Sequence, residues 1–598
     1  MKIFNKAFYI VWQNNKGWLI FNGCYAIVAG FIPVALIWLS KELINELALL
    51  IQNPSDLTKS VTILLIQMLL IFFSSVLDRF KLYIDNKTEM NLSYFLQRKL
   101  LKKVASLPFF YYEDPQFYNY FSRVQASAGT RFLNPINQIF NFTKNLIAIV
   151  SVMMFLFSID WLLLILVIIP IIPLLIVSYK YGLKQYELFH ETTPQVRNIA
   201  YITRLLSEKE SVKEIKILGL ANHFIKKWSK ISKENNNRKL KLEKKNAFLE
   251  ISIEGFESVL YLIIVFVVMN LIRQGNLKIG DFVAILQAIE QTQSKLESIS
   301  ENISSFLEDR LYLNDYFSFL DLEHYPNSQD KKENLEFPKT MKKGIELNNV
   351  SFSYPGSTKE ILKNISLSIN SGERIAIIGE NGCGKSTLVK CIVGLYQVKK
   401  GNIYFDDKSI RDFSTSDLHK HITVLFQDFN KYPYTVQENI GYGNIEKMND
   451  LDSIKKLSKL TSVDEFVQRL NQKYNTPLTR VFQDGEDLSG GQWQKVALTR
   501  ALFRETPIII FDEPTAALDP KSEKEIFEQF NEMTNNKTSI FISHRMSATR
   551  IADRIVVMKK GEIIEVGTFS ELMDLDGEFT KMYNTQIGEF KNRELLTN

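Results

Sequence analysis

Gly379-Glu380-Asn381-Gly382-Cys383-Gly384-Lys385-Ser386-Thr387 fits G-x-x-x-x-G-K-[ST], the spacing of a phosphate-binding loop. The flanks supply the context this pattern needs. Arg374-Ile-Ala-Ile-Ile378 is a short apolar run that reads as a buried strand, and Leu388-Val-Lys-Cys-Ile-Val393 reads as a helix. Strand, glycine turn and helix start together let backbone N–H groups close around phosphates, with the helix N-terminus adding positive potential. Lys385 is then expected to reach the β- and γ-phosphates of ATP, and the Ser386 hydroxyl to ligate Mg²⁺.

Further along, Ile508-Ile-Ile-Phe511 runs into Asp512-Glu513. Four apolar residues ending in two carboxylates read as a buried parallel strand whose C-terminal edge lies beside the phosphate loop. Asp512 is expected to hold Mg²⁺ through water, and Glu513 to polarise the attacking water.

The 598 residues exceed one domain, and their halves differ in kind. Long apolar runs fill the chain to about residue 310, whereas a soluble α/β pattern takes over after about 340. Stretches of spanning length lie at about 18–39, 61–80, 139–158, 161–179, 252–272 and 278–298. Ser158-Ile-Asp160 forms a minimal turn between the third and fourth. The first stretch is too long for a secretory signal and is read as a membrane helix. The fold class expected is thus a six-helix transmembrane bundle plus an α/β P-loop nucleotide-binding domain. The boundaries expected are 1–320 for the membrane domain, 321–343 for a polar, proline-punctuated linker, 344–585 for the soluble domain and 586–598 for a tail.

Charge orients the bundle. The turn 158–160 has no Lys or Arg and segment 41–60 has only Lys41 and Lys59, although Arg273 and Lys278 follow the fifth span. The long connections 81–135 and 180–245 are heavily basic, so they, both termini and the phosphate loop are assigned to the cytoplasm. Both connections read as helical; in 201–245 Ile202, Leu205, Leu206, Ile215, Ile217 and Leu218 recur at helical spacing. Leu107–Pro115 interrupts the first with aromatics between prolines, either a packed turn or a short element that plugs into the soluble domain. A net charge of +6 is too small to argue for nucleic acid. Cys24, Cys383 and Cys391 are too few and scattered for a disulfide framework or a zinc site.

Leu488-Ser489-Gly490-Gly491-Gln492 adds a family resemblance. Together with the loop and the Asp-Glu strand, it resembles the signature of the ATP-binding cassette transporters. The resemblance implies that Tyr354 stacks on adenine and that Gln427 lies near Mg²⁺ and the attacking water. It implies too that Asp519 sits at a dimer interface and that His544 contacts the γ-phosphate. Ser489, Gly490, Gly491 and Gln492 would act on nucleotide bound by the opposite domain, so one cassette per chain implies a homodimer, with a heterodimer as the alternative.

Membrane domain first and cassette second resembles the exporter type. Ser211–Lys216, Thr423–Tyr432 and Gln483–Gln494 are similar to segments of the lantibiotic, nisin-type peptide exporters. That resemblance implies an exported peptide, modification enzymes and, because spanning begins by about residue 18, a separate leader peptidase. A lipid or apolar drug is the alternative cargo, and a nucleotide-switched membrane regulator the alternative of another class.

The last two spans carry polar faces. Glu250, Glu254 and Glu257 share one side of the fifth; Gln287, Glu290, Ser294 and Glu297 share one side of the sixth. Either these faces pair with Lys244, Lys245 or Lys295 outside the bilayer, or Glu257, Gln287, Glu290 and Ser294 line an acidic, hydrated substrate cavity.

Overall fold

The computed structural model describes residues 2–52, 57–129, 132–169, 171–274, 277–322, 335–482, 484–514, 534, 536–543 and 549–585. The chain divides into two compact units, Met1–Leu107 with Tyr111–His324, and Pro108–Phe110 with Tyr325–Asn598.

The first unit is a membrane helical domain. Its described helices are α1 (Lys2–Asn14), α2 (Lys16–Gln52), α3 (Thr58–Ser106), α4 (Pro115–Gly129), α5 (Asn134–Phe157), α6 (Trp161–Ile168), α7 (Ile171–Ser207), α8 (Lys209–Ile217), α9 (Ala221–Arg273) and α10 (Ile279–Leu320). Four of them, α2, α3, α5 and α9, are long and apolar enough to cross a bilayer. The expected spans at 161–179 and 278–298 fall on α6 with the start of α7, and on α10. Pro170 separates α6 from α7 in the sequence, and a proline has no N–H to offer a helical ladder. On α10, Asp281, Glu290 and Lys295 dilute the apolar run.

At ~1.5 Å per residue, α3 and α9 rise about 74 and 80 Å, far beyond a ~30 Å hydrocarbon core. Leu65, Met68, Leu69 and Phe72 of α3 point outward and exposed, which suits contact with lipid. Inward, Ile37, Val152, Leu156, Ile264, Val268, Ile285 and Ile289 join α2, α5, α9 and α10. A second core, with Trp18, Leu96, Leu100, Phe117, Tyr316 and Phe319, joins the other ends of α2, α3 and α10 to α1 and α4.

α2 and α10 are tied at the start of α10. Lys41 Nζ lies 2.8 Å from Asp281 Oδ1, and Gly280 N donates to Asn45 Oδ1 at 2.9 Å. A Cβ on Gly280 would stand 2.4 Å from the Lys41 carbonyl, so only glycine permits this approach. The second lysine of segment 41–60, Lys59, pairs with Glu46. The helical pattern expected over 201–245 is broken, with α7 ending at Ser207 and α8 at Ile217. Ile202 and Ile215 are buried, but Ile217 and Leu218 are exposed, because Gly219 turns the chain with φ +66°.

The second unit holds two sheets. An antiparallel one runs β2 (Leu362–Asn370), β1 (Gly344–Phe352), β4 (Lys400–Phe405), β5 (Lys408–Ser409). The other runs β10 (Glu562–Gly567), β9 (Arg554–Lys559), β3 (Arg374–Gly379), β8 (Thr538–Ile542), β7 (Ile508–Asp512), β6 (Ile422–Leu425). Within it β9, β3, β8, β7 and β6 are parallel neighbours and β10 is antiparallel. β7 is buried at every position, as an apolar run inside a parallel sheet demands. Helix α11 (Lys385–Ile392) follows β3 and packs Leu388, Val389 and Ile392 into the core between the sheets.

The stretch expected as a linker, 321–343, is not uniform. Residues 323–334 fall outside the described ones, as does the tail 586–598. Leu335 bridges to Phe413, and Phe337 is buried against Phe405, Phe413 and His421. Its last residues therefore belong to the cassette core, because Phe337 supplies apolar area that a polar linker lacks. The aromatic stretch after Leu107 divides as well. Phe109, in the second unit, sets its ring 5.7 Å from Tyr396, whereas Tyr112, in the first, sets its own 5.2 Å from Phe117.

Candidate functional site: a nucleotide-binding cassette

The phosphate loop forms where β3 leaves the sheet. Gly379 and Gly384 have φ of +154° and +109°, and a Cβ on Gly379 would lie 2.2 Å from the Met558 carbonyl oxygen. Gly384 caps α11 in the left-handed conformation, which places Lys385, Ser386 and Thr387 in the first helical turn. Lys385 is buried, and its Nζ donates to the carbonyls of Gly379 (2.7 Å) and Glu380 (3.0 Å). The ammonium therefore lies over the loop's own backbone.

Asp512, at the C-terminal end of β7, is 5% exposed. Burial pushes its carboxyl above the usual aspartate value, and the charges of Glu513 and Asp428 push the same way; a hydrogen bond with Ser386 and the charge of Lys385 oppose them. A buried carboxylate beside a hydroxyl, with its charge under-compensated by the protein, fits a hard cation.

Sheet register brings the next two residues together. Leu425 on β6 pairs with Phe511 on β7, so Gln427 and Glu513, each two residues on, emerge side by side. Gln427 Nε2 donates to Glu513 Oε2 at 2.7 Å. Glu513 has φ +52°, a left-handed conformation uncommon for a residue with a Cβ, and its N–H is held by the Ile542 carbonyl at 2.9 Å.

Tyr354 follows β1 and is half-buried. Its hydroxyl is 3.0 Å from Thr387 Oγ1, and its ring stands edge-on to Phe352 and Tyr396. Ser489 is the N-cap of the helix Gly490–Leu502, exchanging bonds with Gln492 in a capping box. His544 and Asp519 lie outside the described residues.

Two features escaped the sequence reading. Gln494 is buried and donates from Nε2 to the carbonyls of Glu513 (3.4 Å) and Pro514. Arg500 Nε and Nη2 bind the carbonyl (2.7 Å) and Oδ1 (2.8 Å) of Asn439, and its Nη1 binds the Asn430 carbonyl (3.0 Å). Gln494 and Arg500 lie six residues apart, on different sides of one helix, so no helical period marked them.

In the membrane unit, a cavity of about 430 Å³ opens among α2, α3, α5 and α10. Gln287 and Glu290 line it; Glu257 and Ser294 are not among its lining residues. Charged residues of α3 and α5, with Lys295 of α10 itself, share this cavity. Asp78 and Glu290 face it together with Lys144 and Lys295, so two carboxylates meet two ammonium groups. Asp78 accepts from the Tyr25 hydroxyl, and Lys144 Nζ sits 5.7 Å from the centre of the same ring.

A membrane helical domain fused to a cassette with these elements defines an ATP-driven membrane exporter. Residues 362–516 match the family model described as ABC transporter, and residues 19–296 the one described as ABC transporter transmembrane region. The chain belongs to the ABC transporter family: it binds and hydrolyses ATP in a cytoplasmic domain and spans the membrane with the other. It is 32% identical to the subtilin transport ATP-binding protein of Bacillus subtilis over 97% of this chain and 94% of that one. It is also 32% identical to the nisin transport ATP-binding protein of Lactococcus lactis subsp. lactis, over 96% and 95% respectively. An ATP-dependent lipid A-core flippase of Haemophilus influenzae is 26% identical over 82% of each chain. In fold it is similar to a bacterial Atm1-family ABC exporter with ATP bound, with a TM-score of 0.78 and 21% identity over 94% of this chain and 97% of that one.

Proposed function

We propose that two copies of this chain export a lantibiotic-like peptide, driven by ATP hydrolysis at sites shared between their cassettes. What supports the cargo is similarity at 32% identity, over nearly the whole length, to proteins named for transport of subtilin and of nisin. Peptide-modifying enzymes and a separate leader peptidase belong to the same proposal.

In this reading Tyr354 stacks on adenine, and Gly379 to Thr387 cradle the phosphates, with Lys385 shifting from the loop carbonyls to the phosphate oxygens. Ser386 and Asp512, with Gln427, would hold Mg²⁺, which supplies positive charge against the phosphates. Glu513 accepts a hydrogen bond from the attacking water, and Gln427 keeps that carboxylate aimed. His544 adds a contact to the γ-phosphate, and Ser489 to Gln492 with Asp519 close the partner's site. Phosphoryl transfer requires chiefly such positioning and charge stabilisation.

Charges of both signs around the cavity favour a cargo with mixed charge and hydrogen-bonding groups over a lipid tail. The test is ATP-dependent accumulation in inside-out vesicles, with lanthionine peptides and labelled lipids as competing cargoes. Peptide accumulation that stops without ATP is expected; lipid movement without peptide uptake overturns the cargo.

A further inference from the structure

The catalytic carboxylate proposed above sits on a backbone that needs holding. Glu513 adopts φ +52°, and residues with side chains remain in that region only where their surroundings over-determine it. Three contacts do so. The Ile542 carbonyl at the end of β8 takes its N–H at 2.9 Å, and Gln427 binds its carboxylate at 2.7 Å. The third comes from the helix Gly490–Leu502, where Gln494 sends its carboxamide N–H groups to the carbonyls of Glu513 and Pro514.

Gln494 is 3% exposed, on a helix where Trp493, Val496, Ala497 and Leu498 around it are buried as well. A carboxamide there is costly unless its hydrogen bonds are made, and the strand-end carbonyls receive them. Its position on the helix adds meaning. Gln494 lies five residues past the N-cap Ser489, about 7.5 Å along the same rigid rod at ~1.5 Å per residue. One end of that rod carries the exposed Ser489 and the Gly490-Gly491 turn; its second turn grips the backbone of Glu513.

We propose that Gln494 is a positioning residue for ATP hydrolysis: it fixes the peptide on the C-terminal side of Glu513, so that any shift of the signature helix moves the catalytic carboxylate with it. This rests on the reading of Glu513 as the group that polarises water. Gln494 itself touches neither nucleotide nor water in this role; it acts through Glu513.

The experiment uses the full-length chain reconstituted in lipid nanodiscs. Gln494→Met keeps side-chain length and removes both donors; Gln494→Glu keeps the shape and replaces a donor with an acceptor, and serves if the first variant fails to fold. Each is expected to lower kcat by about 10- to 100-fold, the scale of a misplacement near 1 Å, with KM for ATP within about twofold of wild type. The decisive comparison is made in the Glu513→Gln background. Because Gln494 acts only through Glu513, adding Gln494→Met there should slow the residual hydrolysis no further. Unchanged kcat in the single variants, or a further multiplicative loss in the double variant, overturns the proposal. Normal hydrolysis by Glu513→Gln alone overturns the underlying reading of Glu513, and separates that failure from this one.

Discussion

Gln427 and Glu513 are joined by a 2.7 Å hydrogen bond that strand register makes unavoidable, since Leu425 and Phe511 are paired two residues earlier on parallel neighbours. Gln427 leaves β6 and Glu513 leaves β7 at the same C-terminal edge of the parallel strands.

Replacing that carboxylate should separate binding from chemistry. Glu513→Gln keeps size and hydrogen bonding but removes the carboxylate proposed to polarise water. ATP affinity should remain within a few-fold, while steady-state hydrolysis falls by at least ~10²-fold, the range of general-base effects. Equilibrium nucleotide binding and phosphate release on the same preparation check both halves.

Tyr354 should affect affinity more than turnover. Base stacking on an aromatic ring is worth roughly 1–3 kcal/mol in nucleic-acid complexes, so Tyr354→Ala should raise KM for ATP about tenfold with kcat little changed. Tyr354→Phe keeps the ring and loses only the contact with Thr387, so its KM should rise far less. Equal KM values for wild type and Tyr354→Ala would remove stacking from its role.

Much of this site was legible because its chemistry is local. The glycine spacing from Gly379 to Gly384, the Asp512-Glu513 pair and the Leu488–Gln492 run each occupy one short stretch of sequence. Gln494 was not legible, because its partners are two carbonyls on another element and backbone carbonyls carry no sequence signal. The membrane cavity shows the same limit. Helical periodicity placed Gln287 and Glu290 on one face, but Asp78 and Lys144 reach the same space from α3 and α5. Phe337 was hidden by its polar neighbours, since one buried ring in a charged stretch carries no period.

Asp553 gives the cassette a pH-dependent contribution. Arg374 donates to it from Nε (3.2 Å), Nη2 (2.7 Å) and its backbone N–H (3.0 Å), fastening the start of β3 to the turn before β9. The Arg374 hydrogen bond holds the Asp553 carboxyl below the usual range. A depressed folded-state value stabilises the fold above the unfolded carboxylate pKa of ~3.9, and that contribution is lost as pH falls through the folded value. The pair is partly solvent-exposed, so Asp553→Asn should cost only about 0.5–1 kcal/mol at pH 7. Thermal unfolding of the two proteins should converge as pH falls below the usual carboxylate range; a constant offset throughout would detach the effect from the ionised pair.

The cavity among α2, α3, α5 and α10 yields a prediction about cargo charge. Ionisable groups at membrane depth normally face a bundle interior or a water-filled space, and here both signs are present. If the lysines receive anionic groups of the peptide, Lys144→Gln with Lys295→Gln should weaken uptake of acidic cargo peptides more than basic ones. If the carboxylates receive its cationic groups, Asp78→Asn with Glu290→Gln should do the reverse. Vesicle uptake should fall by about tenfold or more for the mismatched peptide, the scale of one lost charge-assisted hydrogen bond at roughly 1.5–3 kcal/mol. Tyr25→Phe provides the finer control, since it keeps the ring under Lys144 but frees Asp78 from the phenol hydroxyl, and it should alter the response to basic peptides alone. Identical losses for acidic and basic peptides in both double variants would mean that the charges brace the helices, with no selectivity for cargo.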